Sequence, residues 1–118
     1  MIDLETLDNK VGAVITQLGA VEFDVRTGEL GRSFSRNIDA ASCQKKGMTI
    51  GADTVMWWVT QSLEARQSLI TPCPQDVTIV LNQFREWVLS LIAEPGVLFR
   101  GSSSPKVYFW CHASFDLP

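Results

Sequence analysis

The first seven residues of the chain carry two carboxylates at alternate positions of a predicted strand, and this spacing constrains both faces of a sheet. Side chains at i and i+2 of a strand lie on the same face, so we expect Asp3 and Glu5 to project together while Leu4 faces a core. Two carboxylates side by side repel each other unless a cation joins them, and hard divalent ions such as Mg²⁺ or Mn²⁺ prefer oxygen ligands. The stretch therefore predicts a strand with a metal-binding face. The alternative is a solvated strand end.

Two further strands are predicted next, over residues 11–24 and 30–38, with a bend or bulge near Gly19 in the first of them. Residues 24–29 between them are typical of a turn, in which Gly28 is free to adopt a positive φ. The three strands predict an antiparallel meander. Their apolar members are Val14, Ile15, Leu18, Val21, Phe23, Phe34 and Ile38.

The second half of the chain predicts helices after a polar connection over residues 39–51. Asp53 is suited to be the N-cap of a first helix, and Ser62 to be the N-cap of a short second helix. Of Trp57 and Trp58, one side chain is expected to face inward, with base stacking by one of them as the alternative. A third helix begins near Pro74 and has a clear apolar stripe at spacings of three and four. That stripe comprises Val77, Val80, Leu81, Phe84, Val88, Leu91 and Ile92.

The last residues predict a fourth strand over 107–111, buried on both faces, followed by the start of a helix. A β-β-β-α-β order implies that further chain should cover the fourth strand. We therefore expect residues 1–118 to be a single domain that is incomplete at its C-terminus.

Composition narrows the class of protein. A chain of 118 residues has room for one core, and a net charge of −3 provides no broad basic surface. Any nucleic acid would therefore be held by local contacts or metal ions rather than by bulk phosphate attraction. The odd set Cys43, Cys73 and Cys111 is typical of reduced thiols, and no run is long enough to span a membrane, so we expect a cytoplasmic protein.

Three separated motifs resemble those of one enzyme family. Ile2-Asp3-Leu4-Glu5-Thr6 resembles the first motif of the DEDD 3′–5′ exonucleases, which have the ribonuclease H-like fold. Residues 53–58 and 61–66 resemble the helix pair of that family's phage and prophage branch, which includes DexA-like and exodeoxyribonuclease VIII-like enzymes and related exoribonucleases. Residues 110–118, with Ser114-Phe115-Asp116, resemble the second motif.

The resemblance implies a fold, a chemistry and a set of site residues. The implied fold is α/β, a ribonuclease H-like mixed sheet with antiparallel first strands and a parallel fourth strand. Asp3, Glu5 and Asp116 match the catalytic metal ligands, which in the family hold two Mg²⁺ or Mn²⁺ ions. Thr6 and Leu7 match residues that border the 3′-terminal nucleotide, with their backbone and apolar surface holding the last base. For Asp116 the alternative role is a helix N-cap.

The implied function is metal-dependent hydrolysis at the 3′ end of single-stranded nucleic acid, with DNA slightly favoured. The alternatives are an exoribonuclease of the same fold, or a non-catalytic prophage remnant that binds nucleic acid or a protein partner. The family's third motif, with a further aspartate and a His or Tyr, has no counterpart in this sequence, so we expect little or no nuclease activity. We also expect association into homo-oligomers through the sheet face left uncovered.

Overall fold

The structure, a computed structural model, describes residues 1–94 and 106–111. In these residues one antiparallel sheet has the strand order β1-β2-β3, where β1 is Ile2–Thr6, β2 is Ile15–Phe23 and β3 is Leu30–Asn37. The predicted antiparallel meander is therefore confirmed.

The register of the sheet separates an apolar face from a polar face. Leu4 lies opposite Leu18, and Ala20 lies opposite Phe34, so their side chains share one face. Because the period of a strand is two, the intervening residues lie on the other face.

Two strand predictions are corrected in detail. The register breaks between Glu5 and Thr6 and again between Val21 and Phe23, whereas Gly19 lies in regular pairing. The second strand begins at Ile15 rather than at residue 11, because Gly12 has a φ of +85° and forms a turn there. Gly28 has a φ of +74°, as the turn prediction requires.

Four helices follow in the described residues: α1 (Ala40–Gln44), α2 (Ala52–Val59), α3 (Leu63–Gln67) and α4 (Val77–Ala93). Helix α1 lies within the stretch predicted to be a polar connection, and the Asp39 carboxylate caps it by accepting from Ala41 N. Ser62 caps α3 as predicted, through a hydrogen bond from Ala65 N. Gly51, rather than Asp53, is the N-cap of α2, which places Asp53 in the first turn.

Helix α4 covers the apolar face of the sheet. Its Phe84 and Trp87 rings contact the Phe34 ring at centroid distances of 5.5 and 5.8 Å. The Arg32 guanidinium pairs with the buried Glu22 carboxylate and donates to the Glu94 carbonyl at 2.7 Å, which ties the end of α4 to the sheet. Complete burial of a large apolar side chain contributes roughly 1.5–3 kcal/mol, so burial of this face contributes substantially to the stability of the described part. The buried core cluster comprises Val14, Leu18, Phe34, Ile38, Cys43, Val77 and Val80.

The predicted parallel fourth strand is wrong for the described residues 106–111, which form no strand. One backbone hydrogen bond, from Ile2 N to Trp110 O at 2.7 Å, joins this stretch to β1. A ladder needs such bonds at regular intervals along both chains. The side chains of Tyr108, Phe109 and Trp110 are more than half exposed, so the apolar run is not buried on both faces here.

Among the described residues, we find no helix with the length and apolar character that crossing a bilayer requires.

Candidate functional site

Asp3 and Glu5 lie on the polar face of the sheet, opposite the face that α4 covers. Asp3 is exposed and Glu5 is half-buried, and they lie opposite Gly19 and Gln17 of β2. Leu4, between them, packs against the core cluster. The strand spacing thus holds both carboxylates on one face by fixing the residue between them in the core.

The polar face beside these carboxylates carries small and polar side chains. Gln17 donates from Nε2 to Asn37 Oδ1 at 3.2 Å, which fixes the amide pair next to Glu5. Gly19, opposite Asp3, has no side chain, and among the described residues an added Cβ there would meet only the Asp3 carbonyl oxygen, at 3.9 Å. The surface beside Asp3 is therefore open.

The donor chemistry of the pair fits a hard divalent cation, since both side chains supply carboxylate oxygens from one face. In residues 1–94 and 106–111 no group of three acidic, histidine or cysteine side chains is close enough to hold a metal ion. Asp116, the third predicted ligand, lies outside the described residues. The metal roles of all three residues therefore stay predictions.

A cleft of about 400 Å³ lies between β1 and α2, and Glu5 belongs to its wall. Its lining is mostly apolar, with a few polar side chains. The lining residues are Leu4, Glu5, Thr6, Asn9, Asp53, Thr54, Trp57 and Trp58.

Two adjacent tryptophans form the helical wall of this cleft. Trp58 is buried and donates from its indole N–H to the Thr6 carbonyl oxygen at 2.8 Å. Trp57 is 55% exposed and meets the Trp58 ring edge to face, with centroids 5.1 Å apart and an interplanar angle of 75°. One tryptophan of the pair faces inward, as predicted, and it anchors the other.

Thr6 and Leu7, the predicted contacts of the terminal nucleotide, are engaged within the protein. The Thr6 hydroxyl donates to Asp8 O at 2.8 Å. Leu7 N donates to Val14 O, and Leu7 O accepts from Gly51 N at 2.8 Å. Thr6 lines the cleft, whereas Leu7 packs against the core. The predicted backbone contacts with a base would compete with these bonds, and the substrate roles of both residues stay predictions.

Asp8 connects the end of β1 to the start of α2. Its carboxylate accepts from the Thr49 hydroxyl at 2.6 Å and from Asn9 N at 2.8 Å. These hydrogen bonds lower the pKa of Asp8, and the one from the Thr49 hydroxyl has the largest influence. A Cβ on Gly51 would collide with the same carboxylate, so the glycine allows this close approach. A short polar network therefore joins the end of β1 to the start of α2, and of its members Asn9 lines the cleft.

Comparison with known families decides the class of the protein. The profile of the 3′-5′ exoribonuclease Rv2179c-like domain matches residues 1–118. The chain belongs to this family. The resemblance to 3′–5′ exonucleases is thereby confirmed at the level of the family, while the phage and prophage branch stays a prediction. No curated protein and no solved structure matches the chain.

For a member of the Rv2179c-like family, the cleft adds residues that the motifs did not single out as site residues. These are Asn9, Thr54 and Asp53, the last predicted only as a helix cap; Trp57, for which base stacking was the alternative prediction, lines the cleft as well. Asp53 and Trp57 are four residues apart and share a helix face, which is a local signal. That this face lies against β1 depends on a contact between Thr6 and Trp58, which are 52 residues apart in sequence.

Proposed function

We propose that this protein is a metal-dependent 3′–5′ exonuclease with a ribonuclease H-like fold that acts on single-stranded nucleic acid. Asp3 and Glu5 would hold Mg²⁺ or Mn²⁺, with Asp116 completing the ligand set. The observation that carries the proposal is that Glu5 belongs both to the carboxylate pair and to the wall of the β1–α2 cleft. Family membership supports the reaction class.

This arrangement suits the removal of a terminal nucleotide. A nucleotide with its base in the cleft would place its phosphate near Glu5 and Asp3, since the open polar face continues from the cleft wall. A bound divalent ion would supply charge neutralisation of the phosphate and activation of water. The chain itself supplies fixed carboxylates, an apolar wall that excludes water and, through Leu4, a strand held rigidly against the core.

We propose RNA rather than DNA as the substrate, because the family's description names an exoribonuclease. A preference for DNA would follow only from the resemblance to the phage and prophage branch. With a net charge of −3, discrimination must come from local contacts rather than from a basic surface.

The first test is calorimetric titration of the 118-residue chain with Mn²⁺, compared with the double variant Asp3→Asn, Glu5→Gln. These substitutions keep the size of each side chain and remove the charge. We expect the variant to lose affinity by at least about tenfold, because oxygen ligands bind these ions through charge. A matched control, Glu64→Gln with Glu86→Gln, removes two exposed helical carboxylates and should bind Mn²⁺ like the parent. Equal binding by all three proteins would overturn the metal site.

The second test asks whether the chain binds RNA or DNA more tightly. Fluorescence anisotropy would measure binding of RNA and DNA oligonucleotides of one sequence, each with a free or a blocked 3′ end. Tighter binding of RNA with a free 3′ end supports the proposal. Tighter binding of DNA would instead favour the deoxyribonuclease alternative, and indifference to the 3′ block would contradict recognition of the end.

A further inference from the structure

We propose that the β1–α2 cleft selects guanine as the base it holds, with Trp57 as the stacking surface and Asp53 reading the base edge. This inference rests on the proposed function, because it names the nucleotide that the same site prefers. It depends on three observations: the size and lining of the cleft, the contact of Trp57 with the anchored Trp58, and the Asp53 carboxylate, which has no partner among the described residues.

The cleft has the dimensions and surface of a nucleobase site. Its volume of about 400 Å³ falls within the range of small-molecule sites, which are mostly apolar with a few polar groups. The polar groups are those of Asn9, Asp53 and Thr54 beside Glu5 and Thr6. A flat aromatic ring with hydrogen-bonding edges matches this combination of apolar walls and a polar rim.

Trp57 lines the cleft and contacts the anchored Trp58 ring. Trp58 is held by its hydrogen bond to Thr6 O, and its ring meets Trp57 edge to face rather than stacking on it. A face of the Trp57 indole is therefore available to a ligand, in keeping with the 55% exposure of the residue. An aromatic face stacks on every base, so Trp57 provides affinity without selectivity.

Asp53 provides the selectivity. Its carboxylate is an acceptor only, and in the part of the chain that the structure describes it makes no hydrogen bond or ion pair. Guanine presents two adjacent donors, N1–H and the N2 amine, that one carboxylate accepts as a pair. Adenine and cytosine place a ring nitrogen acceptor beside their amine, which a carboxylate repels, and uracil offers one N–H between two carbonyl groups.

Helix geometry places the two residues together. Positions four apart lie on the same face of a helix, and both Asp53 and Trp57 line the cleft. A base stacked on Trp57 therefore has an edge within reach of the first turn of α2, where Asp53 lies. Glu5 lies at the other wall, so the ribose and phosphate side of the nucleotide would lie next to the carboxylate pair, where a bound divalent ion would neutralise the phosphate.

The test uses nucleosides, which carry no phosphate, in the presence of EDTA. Guanosine, inosine, adenosine, cytidine and uridine are titrated into the 118-residue chain. Binding is followed by the indole N–H signals in ¹H–¹⁵N spectra, with Trp57 assigned from Trp57→Phe. We expect guanosine to bind on the order of tenfold more tightly than adenosine or cytidine. Inosine, which lacks the N2 amine, should fall between them.

Variants separate stacking from edge recognition. Asp53→Asn should remove most of the preference for guanosine while keeping the binding of the other nucleosides. Trp57→Ala should weaken all five by about tenfold, and Trp57→Phe, which keeps an aromatic face, should restore much of that loss. Met56→Ala and Glu64→Gln are controls, since both residues are exposed and neither lines the cleft.

The outcomes separate this inference from the proposed function. Equal binding of all five nucleosides, or a guanosine preference that survives Asp53→Asn, overturns the inference, and Mn²⁺ binding to Asp3 and Glu5 would still support the nuclease. A guanosine preference that depends on Asp53 supports the inference whatever the Mn²⁺ titration gives. Loss of nucleoside binding in Met56→Ala equal to that in Trp57→Ala would overturn the role of Trp57.

Discussion

Helices α4 and α2 are both rich in apolar residues, but they are held to the sheet in different ways. α4 buries Val77, Val80 and Leu91, and its aromatic rings contact Phe34. α2 buries only Trp58 and leaves its neighbours Met56 and Trp57 exposed. α4 places one face in the core and leaves others, such as Ile79 and the predicted stripe member Leu81, exposed, whereas α2 buries a single side chain.

The contacts that hold α2 in place are mainly polar and involve the end of β1. Gly51 N bonds to Leu7 O, the Trp58 indole bonds to Thr6 O, and the Thr49 hydroxyl bonds to Asp8. These contacts fix the helix while leaving a cleft beside it. The comparison teaches that apolar side chains of these two helices have two uses. Those of α4 build the core, whereas Trp57 and Trp58 of α2 line the candidate site.

The largest loss of folding stability should follow from a substitution on the sheet face that α4 covers. We expect Phe34→Ala to lower the free energy of unfolding by about 3–5 kcal/mol, because it removes a buried ring packed against two others. Urea unfolding followed by circular dichroism measures this. Ile79→Ala, at a half-exposed position of α4, is the control and should change it by less than about 0.5 kcal/mol. A small effect of Phe34→Ala would show that α4 is not the core helix.

A smaller loss of folding stability should follow from a substitution in α2 that removes its hydrogen bond to β1. Trp58→Phe keeps a ring but removes the indole donor, which leaves the Thr6 carbonyl without that partner. We expect a loss of about 1–3 kcal/mol in the free energy of unfolding, the cost of an unsatisfied buried acceptor. Trp57→Phe, one residue earlier, is the matched comparison and should change stability little. Equal losses at the two positions would mean that α2 is held by ring packing rather than by the hydrogen bond.

The smallest expected effect is on the pH dependence of folding stability. The Thr49 hydroxyl and Asn9 N–H lower the pKa of Asp8 in the folded chain, so its charged form is favoured by folding. This stabilisation is fully present above the unfolded pKa and is lost as the pH falls through the lower folded value. Thr49→Val should therefore reduce stability at neutral pH and make it less sensitive to acid, as measured by urea unfolding across the acid range.

Asp24 also makes stability fall in acid, since hydrogen bonds from Arg26 lower the pKa of Asp24. Its contribution remains in the Thr49→Val variant and sets a residual acid sensitivity. The exposed helical substitution Thr78→Val is the control and should leave the pH dependence as in the parent. An unchanged profile in Thr49→Val would contradict the role assigned to Asp8.

Local patterns predicted much of the fold because they record which face of each element is buried. The alternation around Leu4 and Leu18 gave the meander, and the stripe through Val80 and Phe84 gave α4. Boundaries were less accurate, since aspartate is favourable both at an N-cap and in a first turn. The pattern thus did not distinguish the two for Asp53.

The candidate site was predictable only in part. The spacing of Asp3 and Glu5 gives a shared face once the strand is known. The cleft depends on which helix lies beside β1, and that is set by bonds between residues far apart in sequence, such as Trp58 and Thr6. The apolar run before Cys111 predicted a strand from its composition. Strand formation also requires a partner with matching hydrogen bonds, which composition does not encode.

The close approach of Gly51 to Asp8 restricts the order in which this chain can change by mutation. A larger residue at position 51 requires the Asp8 carboxylate to shift or a smaller residue to replace Asp8, because that carboxylate occupies the space of a Cβ. Either change disturbs the hydrogen bond that the Thr49 hydroxyl donates to Asp8. Single changes at these positions are therefore costly, and tolerated variants should carry coordinated substitutions at positions 8, 49 and 51.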